Sequence, residues 1–430
     1  MCRPSTVGAV NWTRKTTISV VAALVVLVVA VVVYVQRDAG GNENGNEATP
    51  TGANSATPGA GASPAETPWT GSWAVAVQNG GRGFERQTVR QILRTSIGGD
   101  TVRVRLSNEF GSDPLTVSAV HLAQHLQANT VDASTNAQVT FNGNDSVTVE
   151  AGQTAVSDPV QFALPAGADI AVTAYVPERI GSVTQHAFAN RHNYVAAGNQ
   201  ATRATLSGAQ TFDNYAFLAG VDVQNPESEG AVVTLGASIT DGYDSTFGEN
   251  RRWPDQLARR LIAANRNVGV LNAGISGNML LKDGAGQSAV NRFDRDVLAQ
   301  TGVKWVVFSD AAINDLGDSN PPGGEQLIQG LQQLIQRSHD AGIKIFCATL
   351  TPYKGTDYWS EQGEAGRAAV NEFIKGDGSG CDAVIDLDTA IHDPNDPQRY
   401  NSRYNTGDSL HPNDAGMEAI AAAVDLDLFR

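Results

Sequence analysis

Val232-Val233-Thr234-Leu235-Gly236-Ala237-Ser238-Ile239-Thr240-Asp241-Gly242 is a short apolar run that stops on small and polar residues. A continuous run of that length, without polar alternation, reads as a strand covered on both faces, as strands of parallel sheets are. The same texture recurs downstream at 268–271, 305–308, 343–347 and 383–387. Helical patterns lie between these runs at 254–264 and 325–341, and a last helix is expected after Pro412. Strand–helix alternation predicts an α/β domain over residues 229–430, built on a doubly wound, parallel five-stranded sheet.

Open parallel sheets bind ligands just beyond the carboxyl ends of their strands. The residues that follow each run therefore carry the functional reading. The first run leads into the 236–242 turn and the second into Asn272-Ala273-Gly274-Ile275-Ser276-Gly277-Asn278. The third leads into Ala312-Ile313-Asn314-Asp315, and Asp408-Ser409-Leu410-His411-Pro412 comes after the fifth. Singly, each cluster has an ordinary explanation. Strand–Gly-x-Ser turns recur for conformational reasons, and Asn413 after Pro412 reads as a helix cap. Four such clusters in order, all directed to one sheet edge, are not explained by coincidence.

These segments, with Trp253-Pro254 opening the first helix, resemble the blocks of the SGNH (GDSL-type) hydrolase superfamily over the C-terminal half of the chain. The resemblance implies a flavodoxin-like sheet and a serine esterase. Ser238 would be the nucleophile, Asp408 and His411 would complete a triad, and Ser238, Gly277 and Asn314 would donate to the oxyanion. Two positions depart from the family pattern. Ala237 stands where Asp usually precedes the serine, and Ala312 where Gly usually lies two residues before the block-three Asn. Ala312 adds a methyl where backbone approach is close.

The chemistry can also be argued without the resemblance. A serine hydroxyl is a weak nucleophile until a base takes its proton, and histidine suits that role. A carboxylate three residues before His411 can fix its tautomer, and fixed N–H donors can stabilise charge developing on a carbonyl oxygen. His392 is the rival base, because it also follows the fifth strand and is trailed by Asp393. Thr240 occupies the second glycine position of G-x-S-x-G, which excludes that nucleophile elbow. No G-x-G-x-x-G follows the first strand, so a dinucleotide site has no support.

Upstream, residues 69–228 show short alternating runs at 101–106, 115–122, 137–141 and 170–176, separated by Gly, Asn, Asp and Pro. This pattern predicts an antiparallel β-sandwich, similar to the one preceding the catalytic domain in some bacterial two-domain GDSL esterases. Arg86, Arg90, Arg94, Arg103 and Arg105 are read as alternating on an exposed strand face. His186 and His192 flank a loop that lacks a third metal ligand, and Trp69 and Trp73 are read as core.

Residues 16–35 form an uncharged apolar run preceded by Arg14 and Lys15, long enough to cross a bilayer core of about 30 Å. It is expected to be a transmembrane anchor that leaves residues 1–15 in the cytoplasm and carries the rest outside, with a cleaved signal peptide as the alternative. The Gly-, Asn-, Ala-, Thr- and Pro-rich stretch at 36–68 reads as a flexible spacer.

A net charge of −15 repels polyphosphate, so no nucleic-acid partner is expected. Cys347 and Cys381 either pair in an oxidising exterior or remain buried thiols. No zinc-type spacing is present, and neither metal nor cofactor is expected. The expected function is an extracellular serine carboxylic-ester hydrolase that works through an acyl-enzyme and deacetylates a carbohydrate or other small ester. Two alternatives stand beside it. One is a lipase, lysophospholipase or thioesterase with the same triad, and the other is a catalytically impaired surface-binding protein, suggested by Ala237 and Ala312.

Overall fold

The computed structural model describes residues 67–430. The expected membrane span at 16–35 and nearly all of the spacer lie outside them. Among the described residues, no helix is long and apolar enough to cross a membrane.

The N-terminal half is built from antiparallel sheets. One orders the strands Trp69–Ala74, Leu218–Gln224, Gly99–Ser107 and Thr154–Val156, with Val160–Leu164 also paired to Gly99–Ser107. The other is centred on Gln87–Arg94, Asp169–Val176 and the long strand Leu115–Gln127. Val89, Leu93, Val102, Val104, Val117, Ile170, Val172 and Val221 from the two sheets share one apolar core.

Of the five arginines read as lying on an exposed face, Arg86 is exposed, but Arg94, Arg103 and Arg105 are half-buried and Arg90 is buried, which corrects the sequence-based expectation. Arg90 is 0% exposed. Its guanidinium donates to the carbonyls of Asn129, Arg203 and Ala204 and to Thr173 Oγ1. Burial lowers its pKa to about 10. Arg103 and Arg105 flank the fully buried Asp222, at 2.9 and 3.2 Å. Strand alternation gave the right periodicity, but both faces are covered, so a long cation survives there only with acceptors supplied by loops.

The C-terminal half contains five parallel strands: β1 (Gly230–Gly236), β2 (Val268–Gly274), β3 (Val303–Phe308), β4 (Lys344–Ala348) and β5 (Ala383–Ile385). Their spatial order is β2-β1-β3-β4-β5. The helices are α1 (Ser238–Asp241), α2 (Trp253–Ala263), α3 (Ala289–Phe293), α4 (Ile313–Leu316), α5 (Gly324–Asp340), α6 (Glu361–Lys375), α7 (Leu387–Ile391) and α8 (Asp414–Ala423). All seven residues of β1 are buried, as a central strand covered on both faces requires. Helix α2 packs on α8, and α5 packs on α6. The order reverses between β1 and β3, and the crevice at such a reversal is where α/β sheets bind ligands.

Trp69–Ala74 runs along β2, the edge strand, and closes it. Val270 N–H donates to Ser96 Oγ (2.9 Å), and Val75 forms a parallel bridge with Asn272. A side chain at Gly269 would collide with the Gly71 carbonyl, so the contact is backbone to backbone. Just beyond this strand, Ala76 enters the α/β core while Val75 enters the sandwich core. The period-two alternation of an extended segment thus joins the two cores. Cys347 in β4 and Cys381 before β5 form a disulfide, one of the two states left open by the sequence.

Candidate active site

Strand β1 ends at Gly236, and the chain turns at once into α1, whose first residue is Ser238. A first helical position has no intrahelical acceptor for its N–H, so the Ser238 amide is available as a donor beside its own hydroxyl. Ala237 offers no side-chain cap to this turn. The cap comes instead from Asp310 after β3, which accepts from Ile239 N–H (2.9 Å) and Thr240 Oγ1 (2.5 Å). Burial pushes the Asp310 carboxyl up, opposed by these hydrogen bonds. Where the family pattern has Asp before the serine, a carboxylate thus arrives from a neighbouring strand end. Gly236 leaves room for it, because a side chain there would meet Asp310 and Thr240.

The candidate base, His411, comes from the loop before α8. His411 Nε2 lies 2.8 Å from Ser238 Oγ, and His411 Nδ1 lies 2.5 Å from Asp408 Oδ2. Asp408 Oδ1 also accepts from the backbone N–H groups of Leu410 (2.9 Å) and His411 (2.8 Å). Burial works to raise the Asp408 pKa, but these N–H donors and the His411 ring outweigh it and hold the carboxyl below its usual range. The turn is tight enough to place Ser409 at φ +67°. Asn405 braces it, accepting from the N–H groups of Gly407 and Ser409 and donating to the His411 carbonyl. His392, the rival, lies beside Asp388 at 3.6 Å, and His339 pairs with Asp382 on α5. Of these three histidines, His411 is the one that meets Ser238.

Gly277 follows β2 in a left-handed conformation (φ +77°) that favours glycine, and it is exposed. Its N–H donates to no acceptor among the described residues. The Asn314 amide donates to the Asn278 carbonyl (2.8 Å), which seats it against this same loop. A carboxamide has a second N–H, left for another acceptor. Next to it, Asp315 accepts from Leu280 and Leu281 N–H (2.6 and 3.1 Å). Burial raises its pKa to about 6 against those bonds. Ala312 is fully buried in right-handed helical conformation, so its methyl is absorbed by the core.

Two contributors were not visible in the sequence motifs. Asp310 is one. The other is Arg292 on α3, 0% exposed, which donates to the carbonyls of Gly236 and Ala273 and to Asn278 Oδ1. It ties the ends of β1 and β2 to the loop carrying Gly277. An arginine three residues before another, Arg295, gives no local sign of such a role.

The Tyr243 ring packs against the His411 ring at 4.6 Å, tilted by 50°, and is 41% exposed. Phe188, from the N-terminal half, lies 5.9 Å from Tyr243, and His192 meets Phe247 at 4.7 Å. Tyr243 and, behind it, Phe188 thus bring aromatic faces from both halves up to the histidine. Asp244, Asp408 and His411 place ligand-type atoms within 4.8 Å of one another. A cation there would compete with the His411–Asp408 contact, so these residues do not suit a resident metal.

Residues 234–419 match the GDSL-like lipase/acylhydrolase family. Among solved structures, an acetyl xylan esterase is 21% identical, covering 45% of this chain and 96% of its own, with a TM-score of 0.37. An acetyl-xylooligosaccharide esterase from Geobacillus Stearmophilus is 20% identical, covering 46% and 92%, with a TM-score of 0.35. A GDSL-like lipase from Bacteroides thetaiotaomicron is 16% identical, covering 45% and 85%, with a TM-score of 0.34. No curated protein matches the sequence.

Proposed function

We propose that this ester-hydrolysing enzyme, whose residues 234–419 match the GDSL-like lipase/acylhydrolase family, uses Ser238 as its nucleophile, His411 as its general base and Asp408 as the orienting carboxylate. The observation that carries this is the unbroken hydrogen-bond chain from Ser238 Oγ through the His411 ring to Asp408. His411 Nε2 takes the hydroxyl proton as Oγ attacks the ester carbonyl carbon. The N–H groups of Ser238 and Gly277 and the Asn314 amide receive the oxyanion. Collapse of the tetrahedral intermediate expels the alcohol, which leaves with the proton from His411. Water, deprotonated by the same imidazole, then releases the acid from the acyl-enzyme.

The substrate in this reading is a short acyl ester on a carbohydrate or another small alcohol. The exposed ring of Tyr243 supports it, since a ring face beside the base suits the C–H face of a sugar. The reading also places the enzyme outside the cell, tethered by residues 16–35. The uncharged run with its basic flank supports this, and so does the Cys347–Cys381 bond, since disulfides persist in oxidising compartments.

A fluorophosphonate probe tests the nucleophile: it should label the wild-type chain and leave Ser238→Ala unlabelled. A p-nitrophenyl ester series from acetyl to decanoyl tests the substrate class. Peak kcat/KM at acetyl supports the reading, and a peak at long chains would replace it with the lipase alternative.

A further inference from the structure

We propose that His186, a residue of the N-terminal antiparallel half, is a positioning residue for the oxyanion hole of the α/β half. The inference rests on the nucleophile assignment above. His186 sits on the two-residue strand Gln185–His186 and is 3% exposed. Its Nδ1 lies 2.9 Å from the Ala76 carbonyl, and its Nε2 lies 3.0 Å from Asp241 Oδ1. Asp241 is the last residue of α1, three positions after Ser238, and is itself 3% exposed. Its second oxygen accepts from both the N–H (2.9 Å) and the hydroxyl (2.7 Å) of Ser276. Ser276 directly precedes Gly277.

One carboxylate therefore connects the helix turn that carries Ser238 to the loop that carries Gly277, the two segments whose backbone N–H groups must converge on one oxygen. The polarity of the chain of bonds fixes the part His186 plays. A carbonyl only accepts, so Nδ1 donates to Ala76. Asp241 Oδ2 is taken up by two hydrogens from Ser276, and His186 Nε2 is the one side-chain partner of Oδ1 among the described residues. A buried carboxylate deprived of that donor is costly, and the cheapest relief is for it to turn or draw in water. Either response releases Ser276 and lets Gly277 drift from Ser238. The Tyr215 ring, stacked at 6.4 Å, holds the imidazole in plane for this contact. Gly274 allows α1 to lie directly against the end of β2, so a shift of Asp241 passes straight to that loop.

Positioning predicts a loss in turnover rather than in binding, because a displaced donor is felt most by the charge that develops in the transition state. In the full-length chain, His186→Leu should lower kcat on p-nitrophenyl acetate by about 10- to 100-fold, the scale expected of a misplacement near 1 Å, with KM within about twofold. His186→Gln, whose amide N–H can still reach Asp241, should recover most of kcat. Adding Ser276→Ala to His186→Leu should cost little more, since both break the same link. A folded His186→Leu with wild-type kcat overturns the proposal. So does a change confined to KM, a failure of Gln to restore turnover, or full additivity with Ser276→Ala. If His186→Leu does not fold, Ser276→Ala alone decides, with lowered kcat at constant KM expected and wild-type kcat contrary. Absence of fluorophosphonate labelling in the wild-type chain would instead overturn the nucleophile assignment.

Discussion

Asn314 and Asp315 are adjacent in sequence, yet they do different work. The Asn314 amide spends one N–H on Asn278 and keeps the other for the site. Asn314→Ala is expected to reduce kcat by about 10²–10³ with the fold intact, since losing one oxyanion donor costs that much elsewhere. Steady-state kinetics alongside circular dichroism would check it, and unaltered turnover would remove Asn314 from the site. Asp315 braces the 280–281 backbone and carries a pKa raised from 3.8 to about 6. The unfolded chain gives up this proton near the lower value and the folded chain near the higher one. Between them the folded state holds more protons, so stability is lost as pH rises through that window. A shift of this size is worth on the order of 3 kcal/mol. Urea unfolding at pH 4 and pH 7 should therefore show a larger drop for wild type than for Asp315→Asn. Asp310 and Asp255, also raised by burial, act in both proteins and cancel from the comparison.

At the level of elements, legibility followed locality. Strands β1 to β4 are apolar runs ended by polar clusters, and both the runs and the clusters are local patterns. The strand ends and loops that carry Ser238, Gly277, Asn314 and residues 408–411 were therefore readable from sequence. Helix α6 was not, because Gly363 and Gly366 interrupt it. Both glycines are needed for contact, one against Tyr353 and Leu316 and the other against Leu316. Arg90, Arg292, Asp310 and His186 escaped for a shared reason: their partners lie far away in sequence, up to 114 residues in the case of Arg90 and Ala204. The β5 run expected at 383–387 stops at Ile385, since Asp386 caps α7 through Thr389 N–H. The Cys347–Cys381 bond closes a 34-residue separation between β4 and the start of β5. Loop-closure entropy puts its contribution at about 4 kcal/mol. The Cys347→Ala/Cys381→Ala double variant should melt several degrees lower while keeping its esterase kcat, because neither residue approaches the triad. A drop in kcat beyond the change in melting would contradict that separation of roles.

For the molecule as a whole, the closure of the β2 edge has a consequence for solubility and assembly. An uncovered edge strand presents a row of unpaired N–H and C=O groups that another chain can extend. Here Ser96 takes one N–H of that row, at Val270, and the Trp69–Ala74 strand packs along the edge, with Gly71 against Gly269. A truncated chain comprising residues 229–430 loses this cover and is expected to self-associate. Size-exclusion chromatography and light scattering would measure this against a chain beginning at Trp69, and a monodisperse monomer from the truncated form would refute it. Self-association of the truncated form would make the N-terminal half a guard against sheet-to-sheet polymerisation as well. A lineage that discarded it would need a proline, a lysine or a bulge on β2 before the esterase could remain dispersed at high concentration.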